Sequence, residues 1–206
     1  MGLSEAEPHG QVWVVVLVKG FDSAKQRLSP ALDPAARRSL AAENARVALR
    51  AARAGDRVLA VCGSVEAAQL AGAEGAEVLL ESSPAGQNPA ARRGIQYASE
   101  RGAGAVVLLS SDLPLVTASD IEELIIAGRR LGAPAAVAAA ATGRGGTNSL
   151  YLCPPDAIDL HFGDASLEKF ALDAAGRGVG FQVFDSPRFA LDLDEPSDLE
   201  ALRAGR

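Results

Sequence analysis

The sequence predicts an α/β fold: a single domain with a mostly parallel mixed sheet and helices on both faces. Short apolar runs alternate with helix-like segments, a pattern typical of strands joined by helical crossovers. A length of 206 residues suits one domain with a substantial core. The chain shows neither a repeat nor a linker. We therefore place one domain at residues 11–206, after a flexible N-terminal tail at residues 1–10.

Seven segments are predicted as strands from their apolar, β-branched composition. Val12–Val18 is typical of a buried strand, and Ala105–Ser110 is the most continuously apolar segment of the chain. The other predicted strands are Arg57–Cys62, Glu77–Leu80, Ala135–Ala140, Asn148–Leu152 and Gly180–Phe184.

The clearest predicted helix is Ala118–Leu131, where Ile121 and Leu124 fall on one apolar face. Ser119 with Glu122 fits a capping box at its start. The other predicted helices are Pro34–Ala54, Ser64 to about Gly72, Pro89–Arg101, Ser166–Gly176 and Pro196–Ala204.

Composition excludes several classes of protein. A net charge of -6 argues against non-specific nucleic-acid binding, which needs a basic surface. No apolar stretch approaches the roughly 20 residues of a membrane helix, and the polar, acidic N-terminus is unlike a signal peptide. Cys62 and Cys153 lack metal-site spacing, so we expect reduced core thiols in a cytoplasmic protein.

A basic loop follows the first predicted strand and carries Lys19, Gly20, Lys25 and Arg27. In open α/β sheets, ligands bind beyond the carboxyl ends of the strands. Lysine ammonium groups there can hold triphosphate oxygens, and a glycine allows close backbone approach. The alternative is a solvated charged loop. The chain contains no Walker motif.

Two acidic segments could supply a metal site. Asp112 follows the strand Ala105–Ser110, and Asp192 and Asp194 fall on one side of an extended segment near the C-terminus. Carboxylates together with substrate phosphates suit magnesium. The alternatives are structural: Asp112 in a turn or at a helix start, and Asp194 as the cap of the helix that begins at Pro196.

Three weaker signals concern polar groups at loops and helix starts. The Asn88 amide could pair with a base edge, or it could cap a helix before Pro89. Peptide N–H groups of the loop at residues 143–148 could bind an anion, although a hairpin turn explains the loop as well. Ser166 opens a helix whose N-terminus could bind an anion, or it is simply the N-cap.

Six segments, taken in chain order, resemble one family. They are Val18-Lys19 with Ala24-Lys25-Gln26-Arg27-Leu28-Ser29-Pro30, Gly86-Gln87-Asn88, Ser111-Asp112-Leu113-Pro114, Gly146-Thr147-Asn148, Phe162-Gly163 with Ser166, and Asp192-Leu193-Asp194-Glu195-Pro196-Ser197-Asp198-Leu199. Together they resemble the CofC/FbiD guanylyltransferases of the nucleotidyltransferase A-like superfamily. The resemblance extends from Val12 to about Leu202 and implies the Rossmann-like fold of that superfamily.

The resemblance implies an enzyme that joins the GMP moiety of GTP to a small phosphorylated three-carbon acid, releases pyrophosphate and serves coenzyme F-420 biosynthesis. The acid is phosphoenolpyruvate, 2-phospho-L-lactate or 3-phosphoglycerate, and Mg²⁺ is the cofactor. By the family pattern, the triphosphate would contact Lys19, Lys25 and Arg27, and guanine would contact Asn88. Magnesium would bind Asp112 together with Asp192 or Asp194. The acid would contact Thr147, Gly163 and Ser166.

The chemistry needs no general base, because the attacking phosphate oxygen is already anionic. Lys25 and Asp112 are therefore the expected catalytic residues, acting through positioning and charge stabilisation. Departures from the family pattern at Gln87, Leu167 and Lys169 lie beside the acceptor positions and leave the acid open. Two other functions stay open: nucleotidyl transfer to a molybdopterin or a sugar phosphate, and a non-catalytic GTP-binding regulatory module. The apolar helices leave room for a homodimer.

Overall fold

The computed structural model describes residues 10–22, 25–83, 85–141 and 145–204. Within these ranges, seven strands form one mixed sheet with helices on both faces, as predicted. The strands are β1 (Gln11–Val18), β2 (Arg57–Cys62), β3 (Glu77–Leu80), β4 (Ala103–Ser110), β5 (Ala135–Ala140), β6 (Thr147–Cys153) and β7 (Gly180–Phe184). The helices are α1 (Pro34–Ala51), α2 (Val65–Ala73), α3 (Gln87–Ser99), α4 (Ala118–Leu131), α5 (Ser166–Arg177), α6 (Pro187–Ala190) and α7 (Pro196–Ala204).

The strand order across the sheet is β3-β2-β1-β4-β6-β5-β7. The first four strands are mutually parallel, whereas β6 runs antiparallel to both of its neighbours. The register pairs Leu17 of β1 with Ser110 of β4, and Leu109 of β4 with Ser149 of β6. The carboxyl ends of β1, β2 and β4 therefore meet the amino end of β6 along one side of the sheet, which we call the site edge.

Strand β1 is apolar throughout because helices cover both faces of the sheet. Val14 and Val16 point to the layer that contains α1, α2 and α4. Trp13 and Val15 point to the opposite layer, which contains α3 and α5. All four side chains are fully buried, which fixes the strand firmly beneath the loop that carries Lys19.

The capping box of α4 lies two residues before the predicted pair. Thr117 is the N-cap and accepts a hydrogen bond from the backbone N–H of Asp120, while the Asp120 carboxylate accepts one from the backbone N–H of Thr117. The prediction of Ser119 with Glu122 is wrong. Both pairs fit the same sequence pattern, but the helix begins at Ala118, which makes Thr117 the N-cap and places Ser119 inside the first turn.

Other helix ends also differ from the prediction. Helix α1 ends at Ala51, and a 3₁₀ turn continues it over Ala52–Ala54. Helix α3 begins at Gln87, because Gly86 takes a φ of 104° and serves as the N-cap, and Pro89 is tolerated in the first turn. The short helix α6 was not predicted.

Both cysteines are free and buried, as predicted. Over the described ranges, no helix has the length and apolar character needed to cross a membrane.

Candidate active site

The basic loop after β1 meets the loop after β4 through an ion pair between a buried lysine and a partly buried aspartate. Lys25 adopts the left-handed conformation, with φ 59°, immediately before the 3₁₀ turn Gln26–Leu28. The fully buried side chain of Leu28 anchors this turn in the core. The Lys25 side chain is only 5% exposed, and its Nζ lies 3.4 Å from Oδ2 of Asp112. Two loops far apart in the sequence are thus joined at the site edge.

Asp112 is surrounded by groups that favour its ionised form. The Ser110 hydroxyl donates a 2.6 Å hydrogen bond to Oδ1. Burial by itself would raise the pKa of Asp112, but the charge of Lys25, the Ser110 hydrogen bond and the more distant charge of Lys19 together hold that pKa below its ordinary value. Asp112 is therefore a permanently charged carboxylate at neutral pH.

The late acidic segment is tied directly to the Asp112 loop. The backbone N–H of Leu193 donates a 3.2 Å hydrogen bond to the carbonyl of Asp112, and the Leu193 side chain is fully buried. This anchor holds Asp192 next to Asp112. Burial raises the pKa of Asp192, and the negative charge of Asp112 raises it further; the nearby Asn148 amide, whose Nδ2 donates a 2.8 Å hydrogen bond to the Phe189 carbonyl, opposes part of this rise.

Asp194 and Arg27 pair with each other. Arg27 Nη1 donates a 2.9 Å hydrogen bond to Asp194 Oδ2 across an exposed surface. Both residues border the cavity that also contains Lys25, and each charge already has a partner. The proposed capping role of Asp194 is wrong: helix α7 begins at Pro196, and Asp198 in its first turn accepts the backbone N–H groups of Asp194 and Glu195.

The donor set suits a hard divalent cation that also binds substrate phosphates. Among the residues that the structure describes, no three His, Cys, Asp or Glu side chains already form a metal-binding group. Asp112, Asp192 and Asp194 nevertheless border one cavity. Magnesium is commonly held by one or two carboxylates, with phosphates and waters completing its coordination. The raised pKa of Asp192 beside Asp112 indicates a like-charge repulsion that such a cation would relieve.

Three cavities meet at the site edge, and all of them include Lys19 and Asp112. The basic cavity adds Lys25, Gln26 and Arg27. The apolar cavity adds Leu17, Gly20, Val61, Glu81, Gln87 and Ala90. The polar cavity adds Gln87, Thr147, Asn148, Gly163, Asp192 and Asp194. A ligand with chemically different parts can therefore occupy adjoining spaces around one charged pair.

Thr147 and Ser166 form a buried hydroxyl pair beside the polar cavity. The Ser166 hydroxyl donates a 3.0 Å hydrogen bond to Oγ1 of Thr147, which joins the start of α5 to the start of β6. Gly163 borders the cavity with a φ of 124°, a conformation open to glycine. Ser166 is not the N-cap of α5, because Ala165 occupies that position. Within the predicted anion-binding loop, residues 143 and 144 lie outside the described ranges.

Asn88 lies in the first turn of α3, but its amide faces the loop before α5. The side-chain Nδ2 donates a 3.0 Å hydrogen bond to the carbonyl of Phe162, and Oδ1 accepts a 2.8 Å hydrogen bond from the Phe162 backbone N–H. Asn88 does not border the apolar cavity. The expectation that Asn88 caps the helix is therefore wrong, since Gly86 is the N-cap. The contact with guanine stays a prediction, although both polar atoms of the amide are already bonded to Phe162.

Three residues were missed from the sequence. Ser110 positions Asp112, Asn148 supports Asp192, and Glu81 borders the apolar cavity. Ser110 and Glu81 end or follow strands at the site edge, so their positions alone could have marked them. Asn148 belongs to the segment Gly146-Thr147-Asn148 that carries the family resemblance, but its place beside Asp192 depends on how the C-terminal segment returns to the sheet.

Comparisons with known proteins identify the family of this chain. The family model described as "Guanylyl transferase CofC like" matches residues 12–204. A phosphoenolpyruvate guanylyltransferase from Rubrobacter xylanophilus is 39% identical over 94% of this chain and 94% of its own length. A 2-phospho-L-lactate guanylyltransferase from Methanothermobacter thermautotrophicus is 32% identical over 90% of this chain and 81% of its own length. A 3-phospho-D-glycerate guanylyltransferase from Phenylobacterium zucineum is 32% identical over 93% of this chain and 89% of its own length.

Solved structures share the fold at low identity. A nucleotidyl transferase from Methanothermobacter aligns with a TM-score of 0.66 at 14% identity, covering 95% of this chain and 97% of that one. A Mycobacterium tuberculosis protein solved in complex with manganese aligns with a TM-score of 0.57 at 19% identity, covering 95% and 100%. The family match over nearly the whole described domain shows that this chain belongs to the CofC-like guanylyltransferases.

Proposed function

We propose that this chain transfers GMP from GTP to phosphoenolpyruvate in the presence of Mg²⁺ and releases pyrophosphate. The observation that carries the proposal is that Asp112, paired with Lys25, borders three adjoining cavities of different chemistry together with Lys19. Phosphoenolpyruvate is chosen over the other two acids because relatives at 39% and 36% identity are named for that substrate. The product would serve coenzyme F-420 biosynthesis. We place the enzyme in the cytoplasm and propose a homodimer as its candidate assembly.

The chemistry is an in-line exchange at the α-phosphorus of GTP. An oxygen of the acid's phosphate forms a bond to that phosphorus while the bond to the β-phosphate oxygen breaks, so pyrophosphate leaves with the electron pair. Lys19 and Lys25 hold the triphosphate, and their charge stabilises the negative charge that develops in the transition state. When bound by Asp112 and Asp192, a divalent cation supplies Lewis-acid polarisation of the phosphate oxygens.

The polar cavity is the proposed acceptor site. Its border includes Thr147 and Gly163, and Ser166 holds the Thr147 hydroxyl in place. Hydroxyl and peptide donors at this point suit the carboxylate and phosphate of a small acid. The basic cavity is left for the β- and γ-phosphates, since its border contains Lys25 and Arg27.

The proposal is tested by incubating the protein with MgCl₂, GTP and each of the three acids, and by identifying the products by mass. We expect pyrophosphate and a guanylylated phosphoenolpyruvate. If a product formed only with a molybdopterin or a sugar phosphate, the acceptor would belong to that class instead of the three-carbon acids. GTP binding without turnover on any acceptor would indicate a regulatory module instead.

A variant at Asp112 tests the proposed metal role. Asp112→Asn keeps the size of the side chain but removes the charge that faces Lys25, so we expect turnover to fall by at least about 100-fold. The matched control is Asp185→Asn, the same substitution at an exposed aspartate that borders none of the three cavities, which should leave turnover unchanged. Wild-type activity in folded Asp112→Asn protein would overturn the assignment.

A further inference from the structure

The apolar cavity contains one carboxylate, Glu81, that the proposed reaction does not use. Leu17, Val61 and Ala90 line this cavity with aliphatic surface, and Glu81 lies at its border. A flat heteroaromatic base suits such a space, since it can bury its faces against aliphatic carbons while its polar edge needs a partner. The other two cavities are polar or basic, so this is the space that remains for the base of GTP.

Backbone pairing fixes the position of Glu81. The residue follows the last residue of β3, and its N–H donates a 2.9 Å hydrogen bond to the carbonyl of Cys62, which continues the β3–β2 ladder by one step. The Glu81 carboxylate lies near the Cys62 side chain: burial, and secondly the charge of Glu81, raise the pKa of that thiol to about 12. The carboxylate is therefore held at the carboxyl end of β2, beside the cavity.

The Glu81 side chain makes neither a hydrogen bond nor an ion pair with any residue in the described ranges. Glu77, the acid at the opposite end of β3, is paired by contrast: it accepts hydrogen bonds from Arg57 and Tyr97. A partly buried carboxylate can accept hydrogen bonds but cannot donate them when ionised. A ligand edge with two adjacent hydrogen-bond donors is therefore the best match for the Glu81 carboxylate.

Among the common nucleobases, guanine is the one that presents two adjacent N–H donors on its pairing edge, at N1 and at the exocyclic N2. Adenine places an acceptor at N1 and would direct that lone pair at the carboxylate. Cytosine offers one donor beside an acceptor, and uracil offers one donor between two carbonyls. A carboxylate thus attracts guanine through a paired, charge-assisted contact and repels the acceptors of the others.

We propose that Glu81 is the specificity-determining residue for guanine, with its carboxylate accepting hydrogen bonds from N1–H and N2–H of the base. The inference rests on the proposed function, since it concerns the nucleotide that the reaction consumes. It assigns base selection to the residue after β3, in place of Asn88, whose amide is engaged by Phe162.

The test compares GTP, ITP, XTP and ATP as substrates with phosphoenolpyruvate and MgCl₂, using pyrophosphate release to obtain kcat/KM. Hypoxanthine lacks the 2-amino group, and xanthine carries a carbonyl there. The wild-type protein should therefore prefer GTP over ITP by about 10-fold or more in kcat/KM, since the loss of one hydrogen bond to a charged group lowers affinity by about that factor. XTP and ATP should be poorer still.

Glu81→Gln supplies a readout that a purely structural role would not move. The glutamine carbonyl can accept from N1–H while its amide donates to the 2-carbonyl of xanthine, so the variant should lose about 10- to 100-fold with GTP and prefer XTP over GTP. Glu81→Asp retains the charge and should keep the order GTP over XTP. Glu43→Gln, an exposed substitution on α1, is the matched control and should keep the wild-type order.

The inference is overturned if wild-type protein uses ITP and XTP as well as GTP, a result that needs no variant to fold. It is also overturned if Glu81→Gln keeps the wild-type ratio of GTP to XTP. Failure of the proposed function looks different: wild-type protein would then form no guanylylated acid at all. In that case, the affinities of wild-type protein for GTP, ITP and XTP are compared at equilibrium. Tighter binding of GTP than of ITP and XTP supports the inference, and equal binding of the three overturns it.

Discussion

Asp112 and Asp192 border the same cavity, but their surroundings shift their pKa values in opposite directions. Lys25, Ser110 and Lys19 outweigh the effect of burial on Asp112 and lower its pKa. Asp192 lacks a lysine partner among the described residues, and burial together with the charge of Asp112 raises its pKa. Asp112 is thus ready to bind a cation at any physiological pH, whereas Asp192 stores an electrostatic repulsion that a bound cation would remove.

This repulsion predicts that Asp192→Asn stabilises the protein at neutral pH. A raised pKa in the folded state means that ionised Asp192 disfavours folding above that pKa, and asparagine removes this cost with a side chain of nearly the same size. We expect the Tm at pH 7 to rise by about 2 °C, measured by calorimetry without metal. Turnover should fall, since a proposed cation ligand is lost.

The pH dependence of this effect provides its check. As the pH falls through the folded-state pKa of Asp192, the wild-type carboxyl takes up a proton and the repulsion disappears. The gain in Tm should therefore vanish at about pH 4, near the ordinary aspartate pKa. Added MgCl₂ should raise the Tm of wild-type protein more than that of the variant. A variant that is less stable at pH 7, or equally responsive to magnesium, would contradict the electrostatic interpretation.

At the scale of secondary-structure elements, the central strands could be predicted because burial on both faces leaves a continuous apolar run. The residues that follow those runs, such as Lys19 and Asp112, are placed at one edge by parallel pairing alone. The start of α4 could not be decided, since Thr117-x-x-Asp120 and Ser119-x-x-Glu122 fit the same pattern. The partner of Asn88 could not be predicted either, because it depends on how the start of α3 approaches a loop 74 residues further along the chain.

The contact of α3 with the sheet yields a prediction about Gly94. A Cβ at this position would lie 2.4 Å from Val15 Cγ1 and 3.1 Å from Val61 Cγ2, in the middle of the close-packed layer beneath the apolar cavity. Gly94→Ala should therefore lower the free energy of unfolding by about 1–3 kcal/mol, because the helix must move away from the strands. Urea denaturation measures the change.

Gly176 in α5 provides the matched control. A Cβ there meets no atom within 4 Å, so Gly176→Ala should raise the free energy of unfolding by up to about 1 kcal/mol through helix propensity alone. Equal effects of the two substitutions would mean that the packing of α3 against Val15 does not limit its distance from the sheet.

On the scale of the whole molecule, the site is assembled from two halves of the sheet. Strands β1 to β3, with α3, form the apolar cavity, while β6 and the start of α5 contribute to the polar cavity. Asn88 connects these halves through its two hydrogen bonds to Phe162, and the Leu193–Asp112 hydrogen bond brings in the C-terminal segment. The distance between the two proposed substrates therefore depends on contacts that touch neither of them.

Asn88 is accordingly expected to act as a positioning residue for the acceptor. Asn88→Ala leaves the Phe162 backbone N–H and carbonyl without these partners, and the loop that carries Gly163 loses its fixed position; we expect the KM for phosphoenolpyruvate to rise about 10-fold. The KM for GTP should change little, since the amide does not reach the apolar cavity. The control is Gln96→Ala, which removes an exposed amide from the same helix and should alter neither constant. A rise confined to the KM for GTP would return Asn88 to the base-binding role that the family resemblance implies, and it would show that the Phe162 contact is not what holds the acceptor loop in place.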